Sequence, residues 1–60
     1  MQTADDATRR LAFAALVAAQ DADMSVADSR RAVGERFGLS EADVLRLERE
    51  GIDGQWPPLG

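Results

Sequence analysis

Acidic side chains crowd together at three places, Asp5-Asp6, Asp21-Ala22-Asp23 and Glu48-Arg49-Glu50, and arginine is the only cationic side chain available to oppose them. Adjacent carboxylates can serve as an acid and a base when a pocket drives their pKa values apart, and oxygen-only sets can hold a hard cation. Neither use is expected. Asp21 and Asp23 lack the glycine and the distal glutamate that a calcium loop places at fixed spacing. Asp5-Asp6 and Glu48-Glu50 have no surrounding apolar run to form a perturbing pocket. The chain has no Cys and no His, and its serines and threonines have no Lys beside them. Thiolate nucleophiles, imidazole bases, disulfides and nitrogen or sulfur metal sites are therefore excluded. The sequence predicts a non-enzyme with no catalytic residue, no cofactor and no metal. What remains is recognition, in which arginine meets phosphate or acid and apolar surface meets apolar surface.

Recognition requires elements to carry it, and 60 residues allow one small domain. A chain of this size buries only about 60% of the surface its unfolded form exposes, and holds roughly 3–5 kcal/mol without help. The 11 acidic and 7 basic residues leave a net charge of -4. The longest apolar run, Leu11 to Ala19, is far shorter than the ~20 residues of a membrane span, and the start Met1-Gln2-Thr3-Ala4-Asp5-Asp6 has no basic leader region. A soluble cytoplasmic protein with no membrane partner is expected.

A hydroxyl residue followed three positions later by a carboxylate occurs at Thr3-Ala4-Asp5-Asp6, Ser25-Val26-Ala27-Asp28 and Ser40-Glu41-Ala42-Asp43. At a helix start the hydroxyl accepts a bond from an orphan backbone N–H while the acid reaches back and opposes the helix dipole. The pattern predicts helices over about 4–20, 26–37 and 41–50. The first is apolar on all sides through Phe13, Leu16 and Val17, which suits the centre of a bundle or a homodimer seam. Val26, Val33 and Phe37 form the expected buried stripe of the second, which Gly38 ends. In the third, Val44 and Leu47 point inward, and Gly51 is the expected stop with Ile52 as its apolar contact. Residues 52–60 form a tail, extended through Trp56-Pro57-Pro58-Leu59 because neither proline can donate and each restricts its predecessor. The fold class is all-α: a three-helix helix-turn-helix domain with an extended Trp-Pro-Pro tail.

From Ser29 to Glu50 the order of residues has a recognisable grammar: Val33-Gly34, then Phe37-Gly38-Leu39-Ser40, then Val44, Leu47 and Glu48. This stretch resembles the promoter-reading helix-turn-helix of primary bacterial sigma factors. The resemblance implies a bacterial protein in which Gly34 allows close helix approach, Gly38 makes the turn and Ser40 caps the next helix. It also implies DNA as a partner, but the sequence departs from the family where bases would be read. The sigma recognition helix is arginine-rich on its exposed side, and here that side presents Glu41, Asp43 and Leu45. Carboxylates there repel phosphates where arginine would release counterions.

Two functions follow. The leading one is a non-catalytic interaction module that uses the sigma-like frame for protein contact, either with a partner or with itself through the apolar helix 4–20. Its candidate protein-binding residues are Leu45, in a charged border of Glu41, Asp43, Glu48 and Arg49, and the segment Trp56, Pro57 and Pro58. Leu45 is alternatively a core residue and Trp56 alternatively a lid on the helices. The second function is a small dimeric DNA-binding regulator, with Arg30, Arg31, Arg36, Arg46 and Arg49 facing phosphates against an unfavourable net charge. A detached or accessory domain of a larger assembly is a third reading.

Overall fold

The first helix starts on an aspartate. The computed structural model describes residues 5–60. In it α1 spans Asp6–Asp21, α2 Val26–Phe37 and α3 Glu41–Asp53. The expected cap Thr3 and first helical residue Ala4 lie outside the described residues. Asp5 is the N-cap: its Oδ1 accepts from the Thr8 backbone N–H at 2.8 Å, the role a capping aspartate fills as well as a hydroxyl does. Asp6 then pairs with Arg10, one turn on, at 2.9 Å. Ser25 caps α2 by accepting from Asp28 N at 3.1 Å. Among the described residues, Ser40 and Asp43 alone form a complete reciprocal box, with bonds of 3.1 and 3.3 Å.

All three helices end in the same way. A residue in the left-handed region, Asp23 (φ 70°), Gly38 (φ 68°) or Gln55 (φ 51°), is followed by an apolar residue. The N–H of that apolar residue reaches back to a carbonyl five positions earlier: Met24 to Ala19, Leu39 to Gly34, Trp56 to Gly51. This is the Schellman closure, which satisfies carbonyls that the helix leaves orphaned. The close acids Asp21 and Asp23 thus belong to a helix stop.

The third helix is longer than its sequence suggests. Gly51 does not end it: the helix runs on to Asp53 and Gly54 is its C-cap. Gly51 is instead buried against α1, where a Cβ would overlap Cδ1, Cε1 and Cγ of the Phe13 ring. A glycine here makes room for an aromatic ring. Gly34 has the role expected of it, since a Cβ there would come within 3.0 Å of the Leu39 carbonyl and 3.6 Å of Val44 Cγ2.

The core gathers Ala12, Phe13 and Leu16 from α1, Val33 from α2, Val44 and Leu47 from α3, and Trp56 from the tail. Val26 is not part of it. At the first position of α2 it is 48% exposed, and the buried place one turn on belongs to Ser29. The Ser29 hydroxyl donates to the Val26 carbonyl at 2.8 Å and accepts from Gln20 Nε2 at 3.1 Å, so a fully buried polar group is satisfied. The Leu59 N–H donates to the Trp56 carbonyl at 2.8 Å across a cis Pro57-Pro58 bond.

Candidate functional site

Helical repeat sorts α3 into two apolar faces. Val44, Leu47 and Gly51 recur at three and four residues and are buried. Leu45 lies about 100° from Val44, and that rotation carries it out of the core. It is 42% exposed. Ile52, 55% exposed, follows seven residues later on nearly the same bearing. The two border a groove of about 580 Å³ with Arg30, Glu48, Arg49 and Asp53. On its α2 side the groove is held by a half-buried ion pair, in which Arg30 reaches Glu48 Oε1 through Nε at 3.0 Å and through a terminal nitrogen at 2.8 Å. Such two-nitrogen contacts fix geometry as well as charge.

The border expected around Leu45 is only partly assembled. Glu48 and Arg49 flank it. Glu41, one turn before Leu45 on the same side of α3, also lines a second groove of about 520 Å³ along the crook between α2 and α3, with Arg30, Arg31, Glu35 and Leu39 among its walls. Asp43 is on the other side of the helix, two residues before Leu45 and so about 200° away. Its carboxyl sits below the usual aspartate value because it accepts hydrogen bonds from the Ser40 side chain and backbone, with Arg46 nearby adding to the effect. Asp5 is lowered in the same way by the backbone and side chain of Thr8. Both are caps.

Trp56 does not share the Leu45 surface. It is 8% exposed, and its ring meets Phe13 edge-on with centroids 5.8 Å apart. The Arg9 and Arg10 guanidiniums lie over it at 5.5 and 4.6 Å, and Arg9 also pairs with Glu50. Pro57 and Pro58 remain exposed beside this buried ring. The adjacent acids Glu48 and Glu50 diverge, one toward α2 and the other toward α1.

Of the five arginines expected to face phosphate, three are engaged with acids of the same chain: Arg30 with Glu48, Arg31 with Asp28 at 3.4 Å and Arg46 with Asp43 at 3.2 Å. Arg36 lies over its neighbour Phe37 at 5.3 Å. Arg49 forms no ion pair among the described residues. Among the described residues no helix is long and apolar enough to cross a membrane, and no cluster of three acidic side chains is placed to hold a metal.

Sequence reasoning missed Ile52 as a site residue because it took Gly51 as a stop, which moved Ile52 into the tail. The seven-residue spacing from Leu45 was the available signal. In α1, Phe13 and Leu16 are used inside the chain's own core, and Leu11, at 63% exposure, is the large apolar side chain left outside. Comparison with protein-family models, with curated proteins and with solved structures finds no match for this chain.

Proposed function

We propose that this chain is a non-catalytic helical interaction module that contacts protein through the outer face of α3. The observation that carries this reading is the pair Leu45 and Ile52, exposed on one side of a helix whose core side is already filled, with charges at their edges. An apolar centre with a charged border is the layout of a protein interface. In this reading the sigma-like spacing of α2, turn and α3 is kept as a frame, in a bacterial and cytoplasmic setting, while the surface that would read bases carries other chemistry. Three of the five arginines are already neutralised in place, under a net charge of -4. That is a poor footprint for a polyanion.

The test is fluorescence anisotropy of a labelled mixed-sequence DNA duplex titrated with the chain at low and at high salt. No change at low salt is the expected result. Binding that weakens steeply as salt rises, and that Arg31→Glu removes while Leu45→Asp leaves intact, overturns the reading in favour of a DNA-binding regulator.

A further inference from the structure

Three hydrogen bonds fasten the end of α3. The Gly54 N–H donates to the Glu50 carbonyl at 2.8 Å, the Gln55 N–H to the Ile52 carbonyl at 3.2 Å and the Trp56 N–H to the Gly51 carbonyl at 2.9 Å. Each of them spans the Asp53-Gly54 peptide link. Glycine is needed on one side of that link, since a Cβ on Gly54 would come within 3.0 Å of the Trp56 indole nitrogen and 3.2 Å of the Glu50 carbonyl oxygen. On the other side Asp53 is exposed, and its carboxylate forms no hydrogen bond or ion pair among the described residues. It stands at the negative end of the helix dipole with no cation in that turn, which favours opening there.

We propose that Asp53-Gly54 is a site of spontaneous covalent modification, isomerisation of the aspartate to isoaspartate, and that the modified link no longer carries the Trp56 closure. The step does not depend on the protein-contact reading. The Gly54 main-chain nitrogen attacks Cγ of Asp53 and a C–N bond forms. The proton of that nitrogen and the hydroxyl of the protonated carboxyl depart together as water, which leaves a five-membered succinimide. Water then adds to one of the two ring carbonyls and the ring opens. Addition at the former main-chain carbonyl leaves the chain running through Cβ and Cγ, with the old carbonyl carbon now a side carboxylate. One water is lost and one regained, so no oxidant, cofactor or enzyme is needed and neither mass nor net charge changes.

Two features single out this link. Asp53 is the sole aspartate of the chain that precedes a glycine, the others being followed by Asp, Ala, Met, Ser or Val, and a following side chain hinders approach of the nitrogen that glycine leaves open. The glycine that gives the indole room is thus the one that exposes the main chain to attack. The fold restrains the reaction, because the Gly54 N–H is committed to Glu50 and the turn must open before the nitrogen can reach Cγ. Helix ends open at the lowest cost of any part of a helix. Isomerisation then adds one carbon to the main chain between Asp53 and Gly54, and all three fastening bonds lose their register. Trp56, buried against Phe13 by those bonds, is released.

The test ages the purified chain for several weeks at neutral pH. Cleavage after Arg49 gives the segment Glu50 to Gly60, in which the two isomers share a mass, separate on a reversed-phase column and differ in cleavage before Asp53 by an aspartate-specific protease. Isoaspartate should accumulate at Asp53 in the folded wild type and be absent from Asp53→Glu, whose longer side chain would have to close a larger ring. The rate should rise about tenfold in urea, where the turn is always open, and a few-fold in Trp56→Phe, which loosens the closure but keeps a ring. Separated isoaspartyl chain should show red-shifted tryptophan emission and a lower urea midpoint than unaged chain. Isoaspartate that forms in urea and never in the folded chain overturns the proposal, as does none in either. So does isomerisation spread evenly over the aspartates, or an isoaspartyl chain whose emission and midpoint match the unaged protein.

Discussion

The turn after α2 and the end of α3 close with the same hydrogen bonds and stop for different reasons. After α2 the left-handed position is filled by Gly38, which has nothing within 4 Å of where a Cβ would stand, and Leu39 folds back on the last turn. After α3 the left-handed position is filled by Gln55, which has no special ease there, and the following residue is Trp56. The first stop is a local property of a glycine. The second is imposed from a distance, because Trp56 is held against Phe13 and beneath Arg9 and Arg10. A helix end can thus be chosen by the backbone or by the core, with the same hydrogen bonds in either case.

The difference can be broken at the α3 end most severely. Trp56→Ala should cost about 3–5 kcal/mol, the range for deleting a buried aromatic, which leaves a domain of this size largely unfolded in a urea titration followed by circular dichroism. Gly51→Ala should cost about 2 kcal/mol: the overlap with Phe13 outweighs the ~1 kcal/mol by which alanine favours a helix. Were Gly51 an ordinary helix interior position, the same variant would be more stable than the wild type.

Substitution at the two left-handed positions sharpens the contrast by moving stability in opposite directions. Gly38→Ala should lose about 1–2 kcal/mol through backbone strain alone, and Gln55→Gly should gain about 0.5–1 kcal/mol by relieving it. Equal losses at both sites would mean that Gln55 is held by contacts its backbone angle does not reveal. The smallest expected effect is on pH. Asp5 and Asp43 have folded pKa values below the ordinary 3.8, so the native state binds fewer protons than the unfolded state just below that value. Their contribution is fully present above pH 3.8 and is lost as pH falls through the lowered folded values. Asp5→Asn with Asp43→Asn should make the acid limb of a thermal-melting series shallower, by lowering the melting temperature slightly at neutral pH and leaving it unchanged at the acid end, where both carboxyls are protonated in the wild type.

Elements set by local rules were readable in the chain. Ser25, Ser40, Gly34 and Gly38 act where they were expected because caps, close approach and left-handed turns depend on a few neighbouring residues. Gly51 was misread by the same logic. A glycine that follows a helical run carries the same local signature whether it stops the helix or admits a ring from α1, and Phe13 is 38 residues away. Val26 and Ser29 are similar: hydrophobicity favoured the valine, but the helix enters the bundle one turn later, where the buried hydroxyl has both Val26 and Gln20 as partners. For the site, the bearing of Leu45 was legible from the helical repeat. Its exposure was not, since that depended on α3 being filled from the other side. Ile52 became part of the site only once the helix was known to continue.

The pairing of Trp56 with Phe13, Arg9 and Arg10 has a consequence for how the protein is made. Residues near the beginning of the described chain wait for one near its end, and Phe13 has no complete setting until Trp56 arrives. A ribosome makes α1 before α2 and α3, so α1 must wait through their synthesis without the ring that covers it. Closure of this core is therefore a step that follows synthesis of Trp56, and the fluorescence of that indole is a signal of it.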